Sequence, residues 1–141
     1  MPKKKVLIVI PARWSSSRLP GKPLLKIADK FLIEWVIEVA SKVRNADGVL
    51  VATDNDQIAN IASRSNVEVM LTSKEHKNGT ERLIEVASKK DADFYVNLQG
   101  DEPLIKPNSI KKIISMLPNL KHSQNEIISG VVPIKSEQAF D

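Results

Sequence analysis

Three cations stand close together near the start of this chain: Arg13, Arg18 and Lys22, in the stretch VLIVIPARWSSSRLPGKPL. No acidic residue precedes Asp29. Backbone N–H groups exposed after a buried strand, joined by cations, hold a polyphosphate by electrostatics. The alternative is a solvated basic loop, since Pro20-Gly21 says only that the chain turns there. The spacing departs from both familiar phosphate loops. A P-loop needs Gly at position 16 and Ser or Thr at 23, where this chain has Ser16 and Pro23. A dinucleotide fingerprint needs glycines two apart, and the five glycines stand at 21, 48, 79, 100 and 130.

A second cluster, Gln99-Gly100-Asp101-Glu102-Pro103, follows an apolar run. A carboxylate beside a glycine at the end of a buried strand suits Mg²⁺, so Asp101 is a candidate metal ligand over a phosphate held by Arg13 and Lys22. For Asp101 and Glu102 the plain alternative is a helix cap or a solvated turn. Asp54, in ATDND, reads as the N-cap of the following helix rather than as a ligand. His76 and His122 have no cysteine and no histidine at helical spacing, which excludes the usual zinc patterns. His122 reads as solvated; His76, just before NGTER, is the one placed to neighbour a substrate. No serine sits in a nucleophile elbow. Trp35 falls on an apolar helical stripe and reads as core, whereas Trp14, in the basic loop, either lines a pocket or packs on the loop.

These clusters need elements to position them. Val6–Ile10 is a continuous apolar run ended by Pro11, the pattern of a strand buried on both faces. From Lys30 to Val43 apolar residues recur at offsets of three and four, which predicts a helix closed by Asp47-Gly48. Gly48–Thr53 predicts a second strand, with a helix starting at Asp54-Asn55-Asp56 and burying Ile58, Ile61 and Ala62. Val67–Leu71 is a third strand, and Thr80 is the expected N-cap of a helix carrying Leu83, Ile84 and Ala87. Phe94–Leu98 is a fourth strand; a helix follows Pro107, and Glu126–Ile134 is a fifth strand. Strand–helix alternation without repeat or linker predicts one three-layer α/β domain over 1–141, its mainly parallel sheet carrying helices on both faces. Ligands bind beyond the carboxyl ends of such strands, where the basic loop, Thr53-Asp54 and QGDEP all fall.

Composition agrees with a globular domain: 141 residues, 42% hydrophobic and 27% charged. The net charge of +4 owes three units to Lys3, Lys4 and Lys5, and aromatics are 4%, so a nucleic-acid partner is not expected. No run reaches membrane-spanning length, no secretory leader is legible, and cysteine is absent. Together these predict a cytoplasmic protein without disulfides.

IPARWSSSRLPGKPL, VATDN, HKNGTERLIEV and VNLQGDEPLI, in this order and spacing, closely resemble the 3-deoxy-manno-octulosonate (Kdo) cytidylyltransferases of lipopolysaccharide synthesis, and SGVVPIKSEQAF resembles the strand that follows in them. The basic loop alone would also suit sialic acid cytidylyltransferases; NGTER and QGDEP make the match specific. The resemblance implies a nucleotide-diphospho-sugar transferase-like fold and transfer of CMP from CTP to Kdo with release of pyrophosphate. It makes Arg13, Lys22 and Asp101 the catalytic set, with Mg²⁺ on Asp101. The implied CTP contacts are Ala12, Arg13, Arg18, Lys22, Thr80, Arg82 and Gln99. Members of that family are homodimers and longer than this chain. By resemblance, then, it is a C-terminally truncated nucleotide-binding portion, without the second metal aspartate, most Kdo contacts and the dimer surface. A non-catalytic CTP-binding module is the reading from another class.

Overall fold

The structure, a computed structural model, describes residues 4–15, 19–100, 105–116 and 127–129. Strand β1 (Val6–Ala12) is followed by a single 3₁₀ turn, Lys22–Leu24, and a small antiparallel hairpin, β2 (Lys26–Ile27) and β3 (Lys30–Phe31). Then come α1 (Leu32–Ser41), β4 (Gly48–Thr53), α2 (Asp56–Ser63), β5 (Glu68–Leu71) and α3 (Gly79–Lys89). Strand β6 (Phe94–Asn97), α4 (Pro107–Met116) and β7 (Ile127–Ser129) complete the described chain. The large sheet is parallel throughout, in the order β5-β4-β1-β6-β7. Of the fifth strand expected at Glu126–Ile134, 127–129 are present and the remainder lies outside the described residues.

Every residue of β1 is buried, as its unbroken apolar run requires of a central strand. Its side chains alternate between two cores. Ile8 and Ile10 pack with Ile33, Val36 and Ile37 of α1, Ile58 of α2, and Ile110 and Ile114 of α4. Leu7 and Val9 pack on the other face with Leu50, Ala52 and Tyr95 of the sheet and Leu83 and Val86 of α3. Each fully buried aliphatic side chain stabilises the fold by roughly 1.5–3 kcal/mol. The three layers thus form as the periodicities predict, with helices on both faces. Among the described residues no helix is long and apolar enough to cross a membrane.

Local details differ from expectation. Leu32 opens α1 two residues later than predicted, because Lys30 and Phe31 pair with Lys26 and Ile27 instead. Trp35 is not core. Its indole N–H donates to the Ile27 carbonyl (2.8 Å), and Lys30 Nζ sits 4.8 Å from its ring, so it covers the hairpin at the surface. Asn55, not Asp54, caps α2, accepting from the Gln57 and Ile58 amides. Asn78, not Thr80, caps α3, accepting from the Glu81 amide (2.8 Å). In both cases a neighbouring asparagine, one residue after Asp54 and two before Thr80, places its carbonyl where a capping oxygen must stand.

Candidate functional site

The strand order sets the location of the site. After β1 the chain builds outward to β4 and β5, then α3 carries it across the opposite face to β6 on the other side of β1. The crevice beyond the carboxyl ends of β1 and β6 lies at this reversal, the usual ligand position in an open parallel sheet. There the pairing outlasts the strands: Leu98 N–H donates to Val9 O (2.9 Å), and Gly100 N–H to Pro11 O (3.1 Å). A Cβ on Gly100 would lie 3.0 Å from that carbonyl oxygen and 3.1 Å from Ala12 Cβ, so glycine permits the approach.

A cavity of about 360 Å³ opens at this point. Ala12, Arg13, Lys22, Thr80, Arg82 and Gln99, drawn from three separate stretches of sequence, all line it. Arg18 and Asp101 lie outside the described residues, as does His122. Asn78, Gly79 and Gly100 also line the cavity; they belong to the NGTER and QGDEP clusters but were not among the expected contact residues. The signal available was NGT itself, an asparagine cap followed by a helix start.

The basic loop reaches the cavity through two devices. Gly21 has φ +72°, and its amide donates to Trp14 O (2.7 Å), closing the loop. A Cβ there would fall 2.9 Å from the Trp14 ring, so Trp14 packs on the loop rather than lining the cavity. Arg13 is exposed, and its Nη1 donates to Lys77 O (3.1 Å), tying the loop to the segment before α3. From the other side comes the N-terminus of α3. The Gly79 and Thr80 amides have no hydrogen-bond acceptor among the described residues, and the first turn of a helix favours anions. Gln99 lies across this turn with its amide N–H donating to Asn97 Oδ1 (3.2 Å). A Cβ at Gly79 would meet Gln99 Nε2 at 2.8 Å, so a side chain at 79 would close this contact.

Arg82 is the unexpected member, because its side chain is 2% exposed. Its Nη1 donates to Thr72 Oγ1 (2.5 Å) and to Ser73 O (3.1 Å), and its Nη2 stands 3.7 Å from Asp54 Oδ2. Burial lowers the pKa of the guanidinium from its ordinary value, and the nearby Arg13 adds to this; Asp54 and Glu85 oppose it. Behind it, Glu85 fixes the segment before α3, accepting from the Ser73 amide (2.9 Å) and pairing with His76 Nε2 (2.7 Å). His76 is therefore engaged with α3, and it is not among the cavity residues.

Among the described residues the cavity wall carries three cations, a helix N-terminus and no carboxylate. It fits a polyanion. No group of three His, Asp or Glu side chains among the described residues is arranged to hold a metal. Asp101, the ligand that the sequence reading named, follows Gly100 directly in the chain.

Comparison with known proteins gives the family. The family model for cytidylyltransferases matches residues 7–141. A 3-deoxy-manno-octulosonate cytidylyltransferase of Psychrobacter sp. is 49% identical over 122 residues, covering 84% of this chain and 44% of that protein. One from Saccharophagus degradans is 44% identical over 139 residues, or 96% of this chain and 53% of its own length. Among solved structures, CMP:2-keto-3-deoxy-manno-octonic acid synthetase complexed with CTP matches with a TM-score of 0.79 at 43% identity, over 82% of this chain and 48% of that one. The chain spans about half the length of the curated relatives it matches. With a match that begins in β1 and covers the sheet and every wall of the cavity, the chain belongs to the cytidylyltransferase family.

Proposed function

We propose that this chain is the nucleotide-binding portion of an enzyme that activates Kdo with CTP, giving CMP-Kdo and pyrophosphate for lipopolysaccharide synthesis in the cytoplasm. One observation carries the reading: Arg13, Lys22 and the N-terminus of α3 converge on one cavity beyond β1 and β6. Its relatives, the named Kdo enzymes, favour Kdo over sialic acid as the acceptor.

In the reaction the anomeric hydroxyl of Kdo attacks the α-phosphorus of CTP and pyrophosphate leaves. Such transfers depend on positioning and charge neutralisation rather than on a covalent nucleophile. Arg13 and Lys22 bind the phosphates and offset the charge that develops on the leaving group. The Gly79 and Thr80 amides add uncharged donors, and Gln99 orients the nucleotide across the α3 turn. Ala12 and Arg82 complete the wall, and Arg18 is a further phosphate contact carried over from the resemblance. A bound Mg²⁺ would supply further neutralisation of phosphate charge, with Asp101 as the residue holding it. The Kdo contacts and a homodimer surface are assigned to no residue of this chain.

Titration calorimetry with CTP and with cytidine tests the binding reading: CTP is expected to bind at least tenfold more tightly. No detectable CTP binding would overturn it. Replacing Asp101 by Asn should abolish the Mg²⁺ dependence of CTP binding, and an unchanged dependence would remove the ligand assignment. Pyrophosphate release on adding Kdo and CTP separates turnover from a binding module.

A further inference from the structure

Asp54, assigned by its sequence position to a helix cap, turns instead to the Trp14 amide and to Arg82, behind the cavity wall. Its side chain is 8% exposed. Oδ1 accepts from the Trp14 amide (3.1 Å), next to Arg13, while Oδ2 stands 3.7 Å from Arg82 Nη2. Two arginines thus face one cavity, one of them almost wholly buried, and a buried guanidinium needs a counter-charge. Among the described residues Asp54 is the carboxylate within 4 Å of Arg82. It does not line the cavity itself.

We propose that Asp54 is the resident counter-ion of the nucleotide site: it neutralises Arg82 while the cavity is empty, and it thereby tempers the affinity for the phosphates that later share that charge. This rests on the proposed binding of CTP in this cavity and adds to it the residue that sets how tightly the anion is held. The two oxygens have separable tasks. Oδ1 pins the basic loop through the Trp14 amide, and Oδ2 supplies the charge. An asparagine retains an acceptor for the first task and removes the second. The helix caps are untouched, because Asn55 and Asn78 make them.

The sign follows from Coulomb's law. A negative charge behind Arg82 repels an incoming polyphosphate, so its removal strengthens anion binding, by roughly three- to tenfold for a partly solvent-screened separation of several ångströms. The empty protein meanwhile loses stability, since Arg82 stays buried without its nearest carboxylate and keeps only the more distant Glu85. The same substitution therefore moves stability and affinity in opposite directions, which loss of a merely structural contact would not do.

The test compares the unaltered chain with Asp54→Asn and Asp54→Glu, using CTP, inorganic tripolyphosphate and cytidine as probes in calorimetry and thermal melting. Asp54→Asn should melt lower when empty, bind CTP and tripolyphosphate roughly three- to tenfold more tightly, leave cytidine unchanged, and gain a larger ligand-induced rise in Tm. Asp54→Glu, which keeps the charge, should bind tripolyphosphate like the unaltered chain. Equal or weaker tripolyphosphate binding by a folded Asp54→Asn overturns the proposal. If that variant is unfolded when empty, tripolyphosphate should restore its fold, and failure to do so also overturns it. Absence of CTP binding by the unaltered chain, with tripolyphosphate still bound, would instead refute the nucleotide reading and leave the counter-ion role standing.

Discussion

Gly79→Ala should separate the site from the fold. A Cβ at this position would lie 2.8 Å from Gln99 Nε2, about 0.6 Å inside the 3.4 Å at which ordinary contact begins. It would also lie 3.0 Å from Gln99 Oε1 and 3.2 Å from Pro11 Cγ. The proline ring is held in a fully buried strand, so the Gln99 side chain is the part that yields. It must leave Asn97, forfeiting one neutral hydrogen bond worth about 0.5–1.5 kcal/mol. Alanine in place of glycine returns up to about 1 kcal/mol of helix propensity. The two nearly cancel, and Tm should move by less than about 4 °C. Binding has no such compensation. The new methyl group and the displaced Gln99 intrude where the α3 amides and the β6 end would meet the proposed nucleotide. A misplacement of about 1 Å in a positioned site costs up to about a hundredfold, and CTP affinity should fall by about ten- to a hundredfold. Calorimetry with CTP beside a thermal melt reads both quantities. Gly48→Ala is the control, since its Cβ would meet Leu7 Cδ1 at 3.3 Å, among residues that do not line the cavity. Unchanged CTP affinity in a normally folded Gly79→Ala protein would refute the placement of nucleotide against α3.

Two further substitutions probe charge. Arg13→Ala should weaken CTP by about ten- to a hundredfold, the worth of a charge-assisted hydrogen bond, while leaving cytidine within twofold; equal losses for both ligands would move Arg13 to the base or to a structural role. Glu85→Gln should remove acid sensitivity. The Lys89 ammonium, then the Ser73 amide and His76, hold the Glu85 carboxyl down to about 2. A depressed carboxylate contributes stability that is complete above its unfolded pKa of about 4.3 and is lost as pH falls through the folded value. The unaltered chain should therefore lose stability between about pH 4.3 and 2, and Glu85→Gln, less stable at pH 7, should converge on it near pH 2. Parallel melting curves across that window would exclude Glu85 as the source.

Much of this protein was legible from local pattern. The unbroken apolar run of β1 announced a strand buried on both faces, and the offsets of three and four announced α1 as a helix, although its stripe took in Trp35, which lies at the surface, and missed the buried Ile33 and Ile37. The reason is that side-chain direction repeats every two residues in a strand and every 3.6 in a helix, so burial writes its period into the sequence. The clusters that line the cavity were visible too, as cations, glycines and amides at strand ends. What the chain did not reveal locally was contact between distant segments. Arg13 and Lys77 are 64 residues apart, and they meet because α3 crosses to the opposite face before β6 pairs with β1. Arg82, next to Leu83 on α3, reads as any charged helical residue; only the packed sheet buries it, and only then does Asp54 become its counter-charge instead of a cap. Capping, likewise, depended on which carbonyl ended nearest the free amides, and asparagines took both positions. Sequence determined the elements and the chemistry at their ends. Strand order decided which ends share a cavity, because pairing between distant strands is set by the packing of the whole sheet and not by any neighbouring residue.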